Sequence, residues 1–310
     1  MTKLVNFLTL DVFTSKAYEG NPLGVVFLPP PSDFQLTQRQ KQTIAHEFNL
    51  SETIFVHEKT GTGETRTVDI FTTSEELPFA GHPTIGAASW FLHHAPENVR
   101  SLLLKAGEFP IALEDPNNGG GIVTARVAHN VHIHKNQYPL NEVSRLYPSL
   151  EPYLAASGIT LFSIVKGMSQ LLVELPSLEA LAAVTTAAQR PNASYLDQGW
   201  EEGLITTYFY VRGVKDEKLG KEVIRTRTIL GNEEDPATGS AASGLTAYLS
   251  LTEGRTGEFK YDIVQGVEMG RRSEIGVDIV VKEAGKIESL VLKGSAVKVT
   301  EGKIVVPEDS

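Results

Sequence analysis

The sequence predicts an α/β (α+β) protein of two pseudo-symmetric domains, each a curled mixed β-sheet around a central α-helix. Three observations predict this. The chain has 310 residues, which suits two cores of roughly 100 to 150 residues each. Runs rich in β-branched and aromatic residues alternate with helical stretches. Two segments of the first half also recur, with similar residues, 153 to 155 positions later.

The first half is interpreted as strands wrapped around one buried helix. Its apolar runs predict strands at 6–14, 24–28, 52–56, 67–71 and 122–134. Residues 37–48 carry apolar side chains at helical spacing behind a threonine cap, and 82–93 is an Ala-rich helix opened by Pro83.

The second half repeats this order. It contains a strand pair at 164–175, a helix at 177–188, a strand at 204–211 and a helix at 235–249. The segments that start the central helices, 82–88 and 235–241, match at proline, glycine and alanine positions, and 52–56 resembles 207–211. These two independent matches predict a duplicated domain, with coincidence as the alternative, because only a few identities support each segment.

The domain boundary is predicted where turn residues cluster, at 115–121. The first domain then covers residues 1–120, joined by a returning C-terminal strand at 296–310, and the second domain covers 121–295. The glycines of the boundary favour a hairpin tip. A phosphate-binding loop is not favoured, because neither a Gly-Lys-Ser/Thr nor a GxGxxG pattern accompanies them.

Composition excludes several classes of function. The formal net charge of −10 would repel a phosphate backbone, so nucleic acid is not expected as a partner. The chain has no long apolar run, which predicts a cytoplasmic protein without a membrane segment. It has no cysteine, which removes thiolate nucleophiles, disulfides and cysteine metal sites. Chemistry must therefore use Asp, Glu, His, Lys, Ser or Tyr.

Two helix starts carry candidate chemical groups. His82 and Asp235 each stand before a proline and a first turn of small residues. First-turn N–H groups lack partners within a helix, so such a turn leaves donors open to an anion. If both starts meet in one interdomain cleft, they could hold a substrate carboxylate or a developing enolate. The simpler interpretation, an N-cap at Asp235 and a polar helix end at His82, stays open at this point.

Glu52 is the third candidate, because it is a charged residue at the start of an otherwise apolar strand. A carboxylate beside a core is expected to have a raised pKa and to suit a general acid or base. A strand-edge glutamate that faces water is the alternative.

These residues lie in a series of motifs along the chain. The motifs are Asp11-Val-Phe, Gly20-Asn-Pro-Leu-Gly-Val-Val, Ser51-Glu-Thr, Pro78-Phe-Ala-Gly-His-Pro-Thr-Ile-Gly-Ala-Ala, Asp235-Pro-Ala-Thr-Gly-Ser-Ala-Ala and Gln265-Gly-Val-Glu-Met-Gly-Arg. In order and at fitting spacing, they resemble the PhzF (phenazine biosynthesis-like) isomerase family. The resemblance implies the diaminopimelate-epimerase-like fold, which is often dimeric, and so a homodimer is expected. It also implies an acid/base isomerase that needs neither metal nor organic cofactor.

The resemblance also assigns roles by position. Glu52 would carry the proton, with His82 or Asp235 as the second transfer group. The expected substrate is a small carboxylated metabolite bound between the domains. The residues expected to contact it are Ser51, Gly81, Thr238, Gly239 and Ser240.

Two competing interpretations remain. A non-catalytic protein on the same fold could bind a small anion or a partner, although this chain keeps all three candidate side chains. A metal site at His129, His132 and His134 is not favoured, because no acidic or cysteine ligand stands near them in the sequence.

Overall fold

Two units of the chain each fold around one central helix. The computed structural model describes residues 2–59, 63–95, 97–115, 121–155, 157–283 and 285–309. The first unit contains residues 1–126 and 293–310, and the second contains 127–292. Most of the predicted boundary, residues 116–120, lies outside the described residues. Within the described ranges, no helix combines the length and apolarity needed to span a bilayer.

The elements of the first unit follow in chain order. They are β1 (Leu4–Val12), β2 (Asn21–Phe27), α1 (Gln38–Phe48), β3 (Glu52–Val56), β4 (Thr65–Phe71), β5 (Glu76–Leu77), α2 (Gly81–His93), β6 (Ser101–Leu104), β7 (Gly107–Leu113) and β8 (Val123–Arg126). The helix α1 starts at the predicted cap, because Thr37 and Gln40 form a capping box.

The strands of this unit form a mixed sheet. β1 and β2 form an antiparallel hairpin. The chain then crosses through α1 and returns as β3 parallel to β2, with Leu23 opposite Glu52. β4 runs antiparallel to β3 and pairs in parallel with β6, which continues antiparallel into β7 and β8. This crossover places Glu52 at the start of an interior strand.

The central helix α2 is buried along most of its length. Its small residues allow this, because strands must approach its backbone closely. A Cβ atom at Gly86 would lie 2.4 Å from Leu23 Cδ2 and 3.0 Å from Val12 Cγ2. A side chain at position 86 would therefore push Leu23 and Val12 away from α2.

The second unit repeats the arrangement. Its elements are β9 (His132–Ile133), α3 (Leu140–Leu146), α4 (Glu151–Leu154), β10 (Gly158–Val165), β11 (Met168–Glu174), α5 (Leu178–Ala182), β12 (Leu204–Asp216), β13 (Lys221–Leu230), β14 (Glu233–Asp235), α6 (Gly239–Thr252), β15 (Gly257–Gln265), β16 (Ser273–Glu283) and β17 (Lys286–Gly294). Short 3-10 turns lie at 148–150 and 193–195. The last strand, β18 (Ala296–Val305), pairs antiparallel with β1 of the first unit.

The pairings of the second unit follow the same sequence of directions. The hairpin of β10 and β11 is followed by β12 parallel to β11 and β13 antiparallel to β12. β13 then pairs in parallel with β15, as β4 does with β6. The helix α6 is buried like α2, and a Cβ atom at Gly244 would lie 2.5 Å from Gln170 Oε1. The predicted duplication of a curled sheet around a helix is confirmed.

The correspondence between the two central helices differs from the predicted one. The sequence matched Gly86 to Gly239, but Gly81 and Gly239 both open their helices, and Gly86 and Gly244 are the two close-approach glycines. Both pairs lie 158 positions apart. The prediction was wrong because proline was taken as the marker of the first turn, and Pro236 lies before α6, whereas Pro83 lies inside α2.

Several predicted elements were also wrong in extent; the helix predicted at 177–188, for example, ends at Ala182. The helix expected from Asp235 begins at Gly239, because Asp235 still pairs with Thr228 in β14 and Thr238 is extended. The strand expected over 122–134 is split into β8 and β9. Between them the two ring nitrogens of His129 lie 3.2 Å from the backbone carbonyl oxygens of Val127 and Ile287.

Candidate active site

The first unit brings Glu52 and His82 together. Glu52 is the first residue of β3, and His82 is the second residue of α2. The Glu52 Oε2 and His82 Nδ1 atoms lie 2.9 Å apart, and the two side chains are only 19% and 4% exposed. A carboxyl group and an imidazole at this distance in a mostly buried place can hold and exchange a proton.

The opposite nitrogen of His82 limits where the hydrogens of its ring can be. His82 Nε2 lies 3.2 Å from the backbone carbonyl oxygen of Asn21. A carbonyl only accepts, so Nε2 must carry a hydrogen and donate it. If the ring is neutral, Nδ1 has no hydrogen and Glu52 donates; if the ring is charged, Nδ1 donates to the carboxylate. In both states one proton lies between Glu52 and His82.

The pKa of Glu52 is set by opposing influences. Burial is the largest and raises the pKa, but the hydrogen bond and the charge of His82, followed by a hydrogen bond from Ser51, lower it below the usual value. The raised pKa expected from sequence is therefore wrong. The charged residue before an apolar strand correctly predicted that Glu52 is largely buried. This local pattern could not predict the contact with the His82 imidazole, which lies 30 residues later in the sequence.

Ser51 and Gly81 complete this side of the candidate site. The Ser51 hydroxyl lies 3.3 Å from Asn21 Oδ1 and also hydrogen-bonds the Glu52 carboxylate, so these two acceptors share its one hydrogen. No side chain caps α2 among the described residues, and the first-turn N–H groups of Gly81 and His82 precede Pro83. Such a helix start favours an anion.

Asn21 is a functional candidate that the sequence interpretation missed. It is 1% exposed, its main chain accepts from His82 and its side chain accepts from Ser51. The sequence contained a usable signal, because Asn21 lies inside one of the motifs, between Gly20 and a proline. Its role depends on a main-chain oxygen, however, and the residue type does not reveal such a role.

The second unit holds the remaining candidates. Asp235 ends β14, and its Oδ2 accepts a hydrogen bond of 2.6 Å from the Thr238 hydroxyl. Thr238, Gly239 and Ser240 follow as the cap and first two residues of α6, which also has no side-chain cap in the described structure. Asp235 is therefore not the N-cap. Ser240 occupies the helix position that His82 has in α2.

The histidines considered as metal ligands form a hydrogen-bonded cluster. Asp197, which the sequence did not place there, bonds His132 Nε2 at 2.8 Å, and ligand atoms of Asp197, His132 and His134 lie within 4.8 Å. His134 Nδ1 accepts the Asp197 backbone N–H, and its Nε2 lies 2.8 Å from Ser163 Oγ. Both His134 nitrogens are thus already engaged, so a metal would have to break an existing bond. His129 bonds backbone carbonyls elsewhere.

This cluster has a defined charge state. Burial, followed by repulsion from His132, lowers the pKa of His134 to about 4. The pKa of Asp197 is lowered to about 2, since hydrogen bonds from the Lys135 and Asn136 N–H groups outweigh the effect of burial. The Trp200 ring stacks on His132 with centroids 4.6 Å apart. The arrangement fits a neutral, buried His134 that stabilises the loop around Asp197 by a hydrogen bond.

Comparisons with known proteins extend the motif resemblance to nearly the whole chain. The family described as "Phenazine biosynthesis-like protein" matches residues 10–302. The trans-2,3-dihydro-3-hydroxyanthranilate isomerase of Pseudomonas fluorescens is 30% identical over 315 residues, which cover 97% of this chain and 99% of that protein. An uncharacterized isomerase of Mesorhizobium japonicum is 29% identical over 316 residues, with coverage of 97% and 99%.

The fold has a counterpart among solved structures. The crystal structure of the Bacillus anthracis phenazine biosynthesis protein of the PhzF family aligns with a TM-score of 0.78 at 22% identity, over 97% of this chain and 99% of that one. At this identity the likeness concerns the fold, and it agrees with the architecture predicted from sequence.

Proposed function

Because this chain belongs to the phenazine biosynthesis-like (PhzF) family and is an isomerase, we propose that it moves a proton between carbon atoms of a small carboxylated metabolite, with Glu52 as the acid/base group. Glu52 takes a proton from one carbon, the electron pair of the broken C–H bond moves into the substrate, and a proton returns at another carbon. No electrons are gained or lost overall. The reaction therefore balances without a cofactor.

The observation that carries this proposal is the Glu52–His82 pair. The lowered pKa of Glu52 keeps its carboxyl group ionised near neutral pH. A carboxyl group must be ionised before it can act as a base and take a proton. His82 bonds Oε2 of the carboxyl group, and in this proposal Oε1 takes the substrate proton. The proton shared by Glu52 and His82 can move between the two side chains as Glu52 alternates between base and acid.

The helix starts supply the substrate contacts in this proposal. The N–H groups at Gly81 and at Gly239 and Ser240 would bind the substrate carboxylate, with the Ser51 and Thr238 hydroxyls beside them. Asp235 would be the second proton-transfer group, since His82 is already bonded at both nitrogens. In this proposal the protein acts as a cytoplasmic homodimer.

Proton exchange with solvent tests the proposal directly. The protein is incubated in D2O with trans-2,3-dihydro-3-hydroxyanthranilate, the substrate in the name of the Pseudomonas relative, and with a panel of small amino and hydroxy carboxylates. NMR then detects deuterium at carbon. Glu52→Gln should reduce the exchange rate by about 10²- to 10⁴-fold, the usual contribution of a positioned acid or base.

The matched control is Glu76→Gln, which removes a carboxylate of the same unit that pairs with Lys105 at 3.0 Å. It should leave exchange unchanged. Full exchange in Glu52→Gln would refute the role of Glu52. If the wild-type protein binds a carboxylate from the panel but exchanges none of its carbon-bound protons, a binding role on the same fold becomes the better explanation.

A further inference from the structure

The motif that begins at Gln265 has no role in the proposed reaction. Gln265 ends β15, and Gly266 follows it. The Gln265 side chain is fully buried and its amide lies against the linker 235–238, which carries Asp235 and leads into α6. All these residues belong to the second unit.

The amide of Gln265 bonds both ends of that linker. Its Nε2 donates to the Asp235 backbone carbonyl at 2.8 Å, and its Oε1 accepts the Thr238 backbone N–H at 3.3 Å. Nε2 also lies 2.9 Å from the Thr228 hydroxyl and 3.1 Å from the Thr238 hydroxyl. That Thr238 hydroxyl is the one that donates to Asp235 Oδ2.

Only one orientation of the amide fits these partners. The Asp235 carbonyl can only accept and the Thr238 N–H can only donate, so exchanging Nε2 and Oε1 would break both bonds. The Tyr208 hydroxyl, 3.2 Å from Oε1, is a further donor. Burial, with a smaller effect from the Asp235 charge, raises the pKa of Tyr208, so it keeps its proton.

The backbone of Gly266 lies close to the middle of the same linker. A Cβ atom there would lie 2.7 Å from the Pro236 carbonyl oxygen and 2.6 Å from the Arg271 carbonyl oxygen, and its φ is +72°. A side chain at this position would thus be opposed both by contact and by backbone conformation. The Gln265 amide therefore bonds both ends of the linker, and the Gly266 backbone lies against its middle.

We infer that Gln265 is a positioning residue, which acts with Gly266 to fix the Asp235 carboxylate and the start of α6 in the geometry needed for proton transfer. This inference rests on the proposed role of Asp235. The Gln265 amide bonds the main chain at both ends of the linker and contacts the Thr238 hydroxyl, which donates to Asp235 Oδ2. These bonds restrict the movement of the Asp235 carboxylate. A displacement of about 1 Å at such a group can cost about 10²-fold in rate.

The chain offers a matched control in Gln170. It is a second buried glutamine of the same unit, 1% exposed, and neither atom of its amide has a hydrogen-bond partner in the described structure. Gln265→Leu and Gln170→Leu remove the same group from similar burial, but only the first removes a bracket. Gln265→Glu is the conservative variant, since a protonated carboxyl can still donate to Asp235 and accept from Thr238.

The experiment combines turnover with amide hydrogen exchange of residues 233–241. Gln265→Leu should lower kcat by about 10- to 100-fold with a smaller change in KM, and should speed exchange in that segment. Gln170→Leu should change neither. The activity of Gln265→Glu relative to wild type should rise as the pH falls, because only its protonated form has the donor.

The outcomes separate the inference from the proposed function. Normal kcat in Gln265→Leu, or unchanged amide exchange in residues 233–241, overturns the inference. If wild-type protein turns over no substrate, the proposed function fails alone, and faster exchange in Gln265→Leu still supports the bracket. A loss of kcat confined to high pH in Gln265→Glu supports positioning, because the kcat of a purely structural defect would not depend on protonation of the new carboxyl group.

Discussion

Replacing His82 with leucine should raise the pKa of Glu52. Burial, the largest influence on this carboxyl group, raises its pKa, and His82 supplies the two strongest influences that lower it. Leucine keeps an apolar side chain in the space of the ring, but has neither the Nδ1 atom 2.9 Å from Oε2 nor its charge. The carboxylate would then be buried without its main partner.

The size of the effect follows from the bond that is lost. A hydrogen bond to a charged group contributes about 1.5 to 3 kcal/mol, which corresponds to a change of about 10- to 150-fold in the ionisation equilibrium. Titration of ¹³Cδ-labelled glutamate by NMR measures it. His57→Leu is the control, because His57 bonds Asp69 at 2.7 Å in the same unit and lies outside the candidate site. It should leave the Glu52 titration unchanged.

The same variant distinguishes two roles for His82. If His82 only keeps Glu52 ionised, activity lost in His82→Leu should return as the pH rises and the carboxyl group ionises. If His82 transfers protons itself, a loss of about 10²- to 10⁴-fold should persist at every pH. An unchanged Glu52 titration in His82→Leu would refute the reasoning that the imidazole controls this carboxyl group.

Two further predictions concern stability. Gly86→Ala should lower the free energy of unfolding by about 1 to 3 kcal/mol in urea titrations, because the new methyl group overlaps Leu23. Gly63→Ala is the control and should cost far less, because a Cβ atom there has nothing within 4 Å. Equal costs for the two variants would contradict the close packing at α2. The His134 pKa of about 4 lies below the ordinary 6.5, so the unfolded state binds the extra proton between these values. Stability should therefore fall by about 1 to 3 kcal/mol as the pH drops from about 6.5 to about 4, and His134→Gln should flatten that slope; parallel slopes would argue against a buried neutral ring.

The fold could be predicted well because its pattern is local. The capping box at Thr37 and the alternating strands are short-range features, and the repeat doubled the available information. The start of α6 was missed by four residues because small residues and a proline look alike before and inside a first turn. Its position depends on the pairing of Asp235 with Thr228, which no local pattern contains.

The candidate site was only partly predictable. Residue type singled out Glu52, His82 and Asp235, and the structure joins the first two directly. The direction of the Glu52 pKa shift was missed, because it depends on a contact across 30 residues. Asn21 and Gln265 escaped because one acts through its main chain and the other bonds the backbone of a distant linker.

The main-chain oxygen of Asn21 has a consequence for how this chemistry can change. Every residue type carries a backbone carbonyl, so no substitution at position 21 deletes the acceptor that holds the hydrogen on His82 Nε2. The position of this hydrogen therefore depends on the backbone at the start of β2, where Asn21 pairs with Val12. Removing the acceptor would require an insertion or deletion that shifts the start of β2, so substitutions at position 21 leave it in place while the surrounding side chains diverge.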